Sequence, residues 1–191
     1  ELMGHYSIHP SAFDAPGGVA NNVAELSDGS IEITSVIGAH DVPGSDIVFW
    51  SKRVPGIIWH EAGHGIEDAL ADLYSNDIML SSAALSGLGE SCYGDWLQCV
   101  KEHVVRAVML RLIARELGPE AADEQMRFEE EGRLPYLKPM LERLREYEVS
   151  RKRYPTLADF YPKLLSVLPS SARATRIFNF SVSSLADPKK T

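Results

Sequence analysis

Short apolar segments separated by turn-forming residues make up the first fifty residues of the chain. Residues 6–8, 31–37 and 47–50 are rich in Ile, Val and aromatic side chains, whereas Gly and Pro are concentrated between them. This alternation predicts three β-strands, and Asp28-Gly29 predicts a turn that leads into the second of them.

The pattern changes at Pro55, after which apolar residues recur with the period of an α-helix. It predicts helices over residues 56–74, 96–117, 120–131 and 138–152, and a shorter helix over 157–167. Pro55 suits the first turn of the first helix, and Gly118-Pro119 ends the second. Strands followed by helices predict an α+β fold, in which a small twisted β-sheet precedes a mainly helical part.

Length and composition limit the class of protein. The 191 residues fit a single domain, which we expect to span residues 1–191, with strands up to residue 55 and helices from residue 56. A formal net charge of −8 argues against nucleic acid as a partner, since phosphate binding needs clustered Lys and Arg. No apolar run reaches the length of about 18 residues that a membrane span needs.

Two features of the chain bear on its compartment. The chain begins with Glu1 and shows no signal peptide, so we expect a mature or trimmed fragment without its targeting segment. The two cysteines, Cys92 and Cys99, lie seven residues apart. On one continuous helix this is a rise of about 10 Å, too far for a disulfide, so we expect them to say little about compartment.

The residues His60-Glu61-Ala62-Gly63-His64 form an H-E-x-x-H motif inside the first predicted helix. Residues four apart lie on the same face of a helix, so both imidazoles can bind one metal ion. Zinc prefers such ligands, and a catalytic zinc has three protein ligands and a water. Glu61 lies about 100° around the helix from His60, where its carboxylate can reach that water. The motif therefore predicts a zinc site with Glu61 as the general base.

The alternative interpretation of the motif is a solvated helix face without a metal. A helical wheel places two groups on opposite sides: the polar His60, His64, Glu67 and Asp68, and the apolar Ile58, Trp59, Ala62, Ile66, Ala69, Leu70 and Leu73. Gly63 and Gly65 favour the metal site, because each destabilises a helix by about 1 kcal/mol relative to Ala. Their presence indicates that another part of the molecule approaches the helix backbone closely.

The third ligand has four candidates, Glu67, Asp68, Glu90 and Glu102. Glu67 and Asp68 follow the histidines on the same helix but are displaced along its axis. Glu102 lies on an otherwise apolar side of the next long helix, where an unpaired carboxylate is costly to bury and a metal would offset that cost. We predict Glu102 as the ligand and Glu90 as the second choice. The alternative for Glu102 is an ordinary ion pair with Arg106.

These motifs resemble those of the gluzincins, metallopeptidases of the zincin fold with H-E-x-x-H on one helix and a Glu ligand on a later one. The segments 59–64 and 101–107 are also similar to a family of uncharacterised bacterial proteins that carry a domain of unknown function. Their shared pattern includes Ser35-Val36-Ile37-Gly38, Arg153-Tyr154-Pro155-Thr156 and Asp159-Phe160-Tyr161-Pro162. The resemblance covers most of the chain and implies a zinc peptidase with a peptide or protein substrate, secreted or held in the periplasm or at the cell surface.

The chain departs from the thermolysin-like gluzincins in two respects. The segment between His64 and Glu102 is longer, and Arg106 stands four residues after Glu102, where those proteins carry an acid. The carboxylate that usually orients a histidine ligand is therefore missing at this position. We expect Asp68 or Asp72 to take its place.

For a peptidase, the motif predicts that Glu61 takes a proton from the zinc-activated water and passes it to the leaving amine. The oxyanion-stabilising residue has four candidates, which the sequence does not rank: His103, Arg106, Tyr147 and Tyr154. The strand over residues 31–37 is expected to bind an extended peptide along its edge.

Two other functions would use the same residues. A noncatalytic binding or scaffold domain would hold a structural zinc with a closed coordination sphere. An amidase or esterase acting on small molecules would use the same zinc and base. Elsewhere, Glu129-Glu130-Glu131 is expected to be a solvated helix face, whereas Leu141, Leu144 and Tyr147 have the spacing of core residues.

Overall fold

The computed structural model describes residues 4–11, 17–38, 54–82, 94–131 and 134–169. In this part of the chain three strands precede six helices, which confirms the α+β class. The elements are β1 (Gly4–Ser11), β2 (Gly17–Glu25), β3 (Ile31–Gly38), α1 (Val54–Leu73), α2 (Ser75–Met79), α3 (Trp96–Glu116), α4 (Pro119–Glu131), α5 (Leu137–Val149) and α6 (Leu157–Leu165). The predicted strand over residues 47–50 lies outside the described residues, as do Glu90 and Cys92. The single-domain extent of 1–191 stays a prediction.

The three strands form one sheet in the order β1-β3-β2. The central strand β3 runs parallel to β1 and antiparallel to β2. The sequence pattern did not predict β2, because Gly17–Glu25 contains few β-branched or aromatic residues; it is a strand because it pairs with β3 along its length. The predicted turn is present, with Gly29 at φ +79° and the Ser30 N–H donating to Asp28 Oδ1 at 2.9 Å.

The helix α3 is the centre of the helical part, since α1, α2, α4 and α5 all pack against it. The side chain of Asp95 caps its first turn, and Gly118 follows its end with φ +97°. The five predicted helices correspond to α1, α3, α4, α5 and α6, while α2 was not predicted. Among the helices described, none has both the length and the apolar character that a bilayer crossing requires.

The orientation of α1 differs from that expected from its helical wheel. Ile66 and Leu73, on the apolar stripe, are 61% and 74% exposed, whereas Glu67 is only 2% exposed. Part of the polar side of α1 faces inward because it finds partners there, Glu102 on α3 and Tyr161 on α6. Trp59 and Leu70 of the apolar stripe still pack against the core, so both sides of α1 are partly buried and the H-E-x-x-H motif faces α3.

Two glycines of α1 allow the close approach that their presence predicted. A Cβ atom at Gly63 would lie 3.2 Å from Val105 Cγ1 of α3, and one at Gly65 would lie 2.8 Å from Ile33 Cδ1 of β3. The missing side chains therefore let α1 fit between the sheet on one side and α3 on the other. This spacing sets the distance between the histidines of α1 and the facing residues of α3.

We predict that Gly65→Ala lowers the free energy of unfolding by about 1–3 kcal/mol, because the new methyl group overpacks against Ile33. In an Ile33→Val background, which removes the Cδ1 atom, the same substitution should cost less. Urea unfolding of the two single variants and the double variant measures the coupling. An equal cost in both backgrounds would show that the Ile33 Cδ1 atom is not the cause.

Candidate metal centre

The side chains of His60, His64 and Glu102 converge between α1 and α3. The Nε2 atoms of His60 and His64 are 3.2 Å apart, and the two Glu102 oxygens lie 3.7 Å from His60 Nε2 and 3.5 Å from His64 Nε2. Ligands of a tetrahedral zinc are separated by roughly 3.3–3.6 Å, given metal–ligand bonds of 2.0–2.2 Å. The two Glu102 distances involve different oxygens, so the three side chains are close enough to share one metal ion, and the structure brings the sequence-predicted ligand set together.

A carboxylate orients His64 from the side away from Glu102. His64 Nδ1 lies 3.1 Å from Asp68 Oδ1, one turn further along α1. Lys101 of α3 lies 3.8 Å from the other Asp68 oxygen and 2.8 Å from Asp72. Of the two acids expected to orient a histidine, Asp68 is confirmed, whereas Asp72 instead pairs with Lys101.

Glu102 is held by a cation on its own helix. Arg106 Nη2 donates to Glu102 Oε2 at 3.0 Å, so the ion pair weighed as an alternative to metal binding is present beside the histidine contacts. The same guanidinium donates through Nη1 to Glu129 Oε2 at 2.6 Å. Glu129 is 3% exposed, and the prediction that it belongs to a solvated face is wrong because Arg106 draws it inward.

The electrostatics of the cluster suit a cation. Burial lowers the pKa of His64, but the hydrogen bonds to Asp68 and Glu102 outweigh burial and raise this pKa to about 10. Burial also raises the pKa of Glu102, an effect outweighed by His64 and Arg106, so the pKa falls below its ordinary value. The pKa of His60 is lowered by burial and by the charge of Arg106. The carboxylates thus favour a positive charge at His64, which is a proton in the metal-free protein, and a metal ion binding there would replace that proton.

Glu61 is half-buried on α1 beside the cluster. Burial raises the pKa of its carboxyl, and the nearby Glu102 charge raises it further, while His64 and Arg106 act in the opposite direction. A raised pKa brings a carboxylate closer to the range in which it both accepts and returns a proton near neutral pH.

Tyr6 of β1 reaches the same helix and was not identified from the sequence. Its hydroxyl lies 2.8 Å from Ser35 Oγ and 3.3 Å from the Ile58 carbonyl oxygen, and Glu61 is close enough to raise its pKa in addition to burial. Only the pairing of β1 with β3 brings Tyr6 to this position, so no local pattern could have indicated it.

All four candidates for oxyanion stabilisation have other partners in the structure. His103 is fully buried with Nδ1 donating to the Cys99 carbonyl oxygen at 2.7 Å. Both terminal nitrogens of Arg106 bond carboxylates. Tyr147 and Tyr154 pack on Phe160 of α6, where Tyr147 is part of the expected core packing.

Cys99 is disulfide-bonded, so the expectation that the two cysteines are too far apart for a disulfide is not supported. The argument against a disulfide assumed one continuous helix from Cys92 to Cys99, but α3 begins at Trp96. The premise is therefore wrong, and the helical rise does not apply.

Fold and cluster together define an α+β domain with a candidate metal centre held between two helices. The chain belongs to the family described as "Domain of unknown function (DUF4932)", whose model matches residues 21–167. The matched residues include the H-E-x-x-H motif and Glu102. No curated protein and no solved structure matches the chain significantly.

Proposed function

We propose that this chain is a zinc-dependent metallopeptidase of the gluzincin type. The observation that carries the proposal is the convergence of His60, His64 and Glu102 at distances of 3.2–3.7 Å, with Glu61 on the adjacent position of α1. Two imidazoles and one carboxylate are the ligand set of a catalytic zinc, which leaves one position for water. Zinc bound there would activate this water and polarise the scissile carbonyl group.

The proton transfers are assigned to Glu61. Its carboxylate accepts the proton of the attacking water and then donates it to the departing amine. The burial that raises the pKa of Glu61 supports this double role, since an ordinary exposed carboxyl is a weak acid–base catalyst near neutral pH.

The substrate is proposed to lie along β1. The predicted site on the edge of residues 31–37 is wrong, because β3 is the central strand and pairs on both sides. Among the described strands, β1 has a neighbour on one side only. Its Tyr6 and Ile8 are 39% and 40% exposed, and Tyr6 contacts α1 two residues before His60. Although β2 is the other edge strand among those described, a peptide adding to β1 would lie next to Tyr6, whose hydroxyl reaches α1 just before the motif.

An extracytoplasmic location is part of the proposal. The disulfide at Cys99 supports it, because disulfides persist in oxidising compartments and are rare in the cytosol.

Metal content and cleavage test the proposal together. The purified protein should contain about one zinc per chain and cleave a mixed peptide library, and a chelator should abolish cleavage. Glu102→Ala should lose the metal because zinc is left with two protein ligands, whereas Glu90→Ala should retain it. Metal analysis of both variants decides the ligand, and the opposite result would assign it to Glu90. Zinc without cleavage of peptides, amides or esters would instead support a noncatalytic zinc domain.

A further inference from the structure

Arg106 lies between two buried carboxylates that come from different helices. Its guanidinium bonds Glu102 of α3 through Nη2 and Glu129 of α4 through Nη1. The Glu102 and Glu129 side chains are 10% and 4% exposed, and that of Arg106 is 22% exposed. Three charged side chains are thus largely removed from water at one point beside the candidate metal centre.

The far end of this network is also held in place. Gln125 Nε2 donates to Glu129 Oε1 at 2.6 Å, while Arg106 occupies Glu129 Oε2. Both oxygens of Glu129 therefore have donors, so its carboxylate gives the guanidinium a fixed partner. A planar guanidinium held at one end restricts the rotation of the Glu102 carboxylate at the other.

The charges of the network bear directly on a metal ion. A lone Arg106 next to Glu102 would cancel the charge of that ligand and repel a divalent cation. Glu129 offsets the arginine, so the three side chains together carry one negative charge. Without Arg106, two buried carboxylates would instead face each other, which is unfavourable for both.

We propose that Arg106 and Glu129 are positioning residues for Glu102: Arg106 fixes the orientation of its carboxylate, and Glu129 preserves metal affinity by offsetting the arginine charge. The inference rests on the proposed metal centre. The inference gives a role to Arg106, which stands four residues after Glu102, where the thermolysin-like proteins carry an acid. It also gives α4, which supplies none of the ligands, a part in metal binding.

The test uses Co²⁺ as the probe on the metal-free full chain. Glu129→Gln keeps the size of the side chain and removes its charge, and it should weaken Co²⁺ binding about 10- to 100-fold. Arg106→Lys keeps the charge but loses the planar guanidinium that bonds both carboxylates at once. The Glu102 carboxylate is then less well oriented, so the visible absorption spectrum of bound Co²⁺ should change. Glu124→Gln, at an exposed position of α4, the helix of Glu129, is the matched control. It should change neither the Co²⁺ affinity nor the spectrum.

Each outcome has a separate meaning. Urea unfolding in chelator identifies a variant that fails to fold; if Glu129→Gln fails, the Arg106→Lys spectrum decides. If Glu129→Gln and Arg106→Lys both fold and bind Co²⁺ with the affinity and the absorption spectrum of the wild type, the positioning role is overturned. The proposed metal centre would still stand. Co²⁺ binding that is absent in the wild type, or unchanged in His60→Ala, would overturn the proposed metal centre itself.

Discussion

Glu61→Gln should slow peptide cleavage by about 10²- to 10⁴-fold while the fold and the zinc content stay unchanged. Gln has the shape of Glu but cannot accept a proton from water, and Glu61 does not belong to the ligand cluster of His60, His64 and Glu102. The loss should therefore appear in the rate of the chemical step and not in metal binding. Mass spectrometry of a digested peptide library, with zinc measured in the same samples, gives both quantities.

The control for this experiment is Glu124→Gln, which makes the same chemical change at an exposed position of α4. It should cleave at the wild-type rate. Equal cleavage by zinc-loaded Glu61→Gln would remove the proposed mechanism, because no other residue of the motif is free to accept the proton once both histidines bind the metal.

A second large effect is expected at Glu67, whose buried carboxyl should make the protein less stable as pH rises. The pKa of Glu67 is raised from 4.5 to about 8, mainly by burial and in part by the charge of Asp68, while the hydrogen bond from Tyr161 opposes the shift. The folded state thus holds a proton that the unfolded chain releases at lower pH. Glu67 contributes this stability fully below about pH 4.5, and the contribution is lost as pH rises toward 8.

Glu67→Gln should remove this pH dependence. Gln is neutral at every pH and keeps an oxygen that can accept the hydrogen bond from the Tyr161 hydroxyl. The variant should therefore match the wild type in stability near pH 4.5. At pH 8 it should exceed the wild type by about 2–4 kcal/mol in the free energy of unfolding, since each pKa unit corresponds to about 1.4 kcal/mol. Urea unfolding between pH 4.5 and 9 in chelator measures the difference without a contribution from bound metal.

The exposed Glu124→Gln variant should follow the wild-type pH dependence in the same series. Parallel curves for Glu67→Gln and the wild type across this pH range would contradict the prediction, because they would mean that Glu67 releases its proton equally in the folded and unfolded states.

The order of strands and helices and the H-E-x-x-H helix could be predicted because both depend on local patterns. The period of apolar residues distinguishes the strand region from the helices, and the end of α3 follows from Gly118. The i, i+4 spacing alone brings His60 and His64 together. Even Glu102 could be inferred, because a carboxylate on an apolar helix face requires a compensating partner.

Other properties depend on contacts between residues that are distant in the sequence. β2 is a strand only because it pairs with β3, and Tyr6 reaches α1 only through the sheet. Likewise, the wheel placed Glu67 on the polar side of α1 as a candidate ligand, yet in the structure it is buried and bonded by Tyr161 of α6.

The sequence by itself determined most of the elements and the proximity of His60 to His64, since a helix places residues four apart on one face whatever surrounds it. Only the tertiary structure decided which residues of α1 face inward and placed Glu102 against both histidines. The close packing at Gly63 and Gly65 sets how near α1 lies to α3 and the sheet. Burial then makes each charged group depend on partners from other helices, as Arg106 depends on Glu129, and no local pattern contains that information.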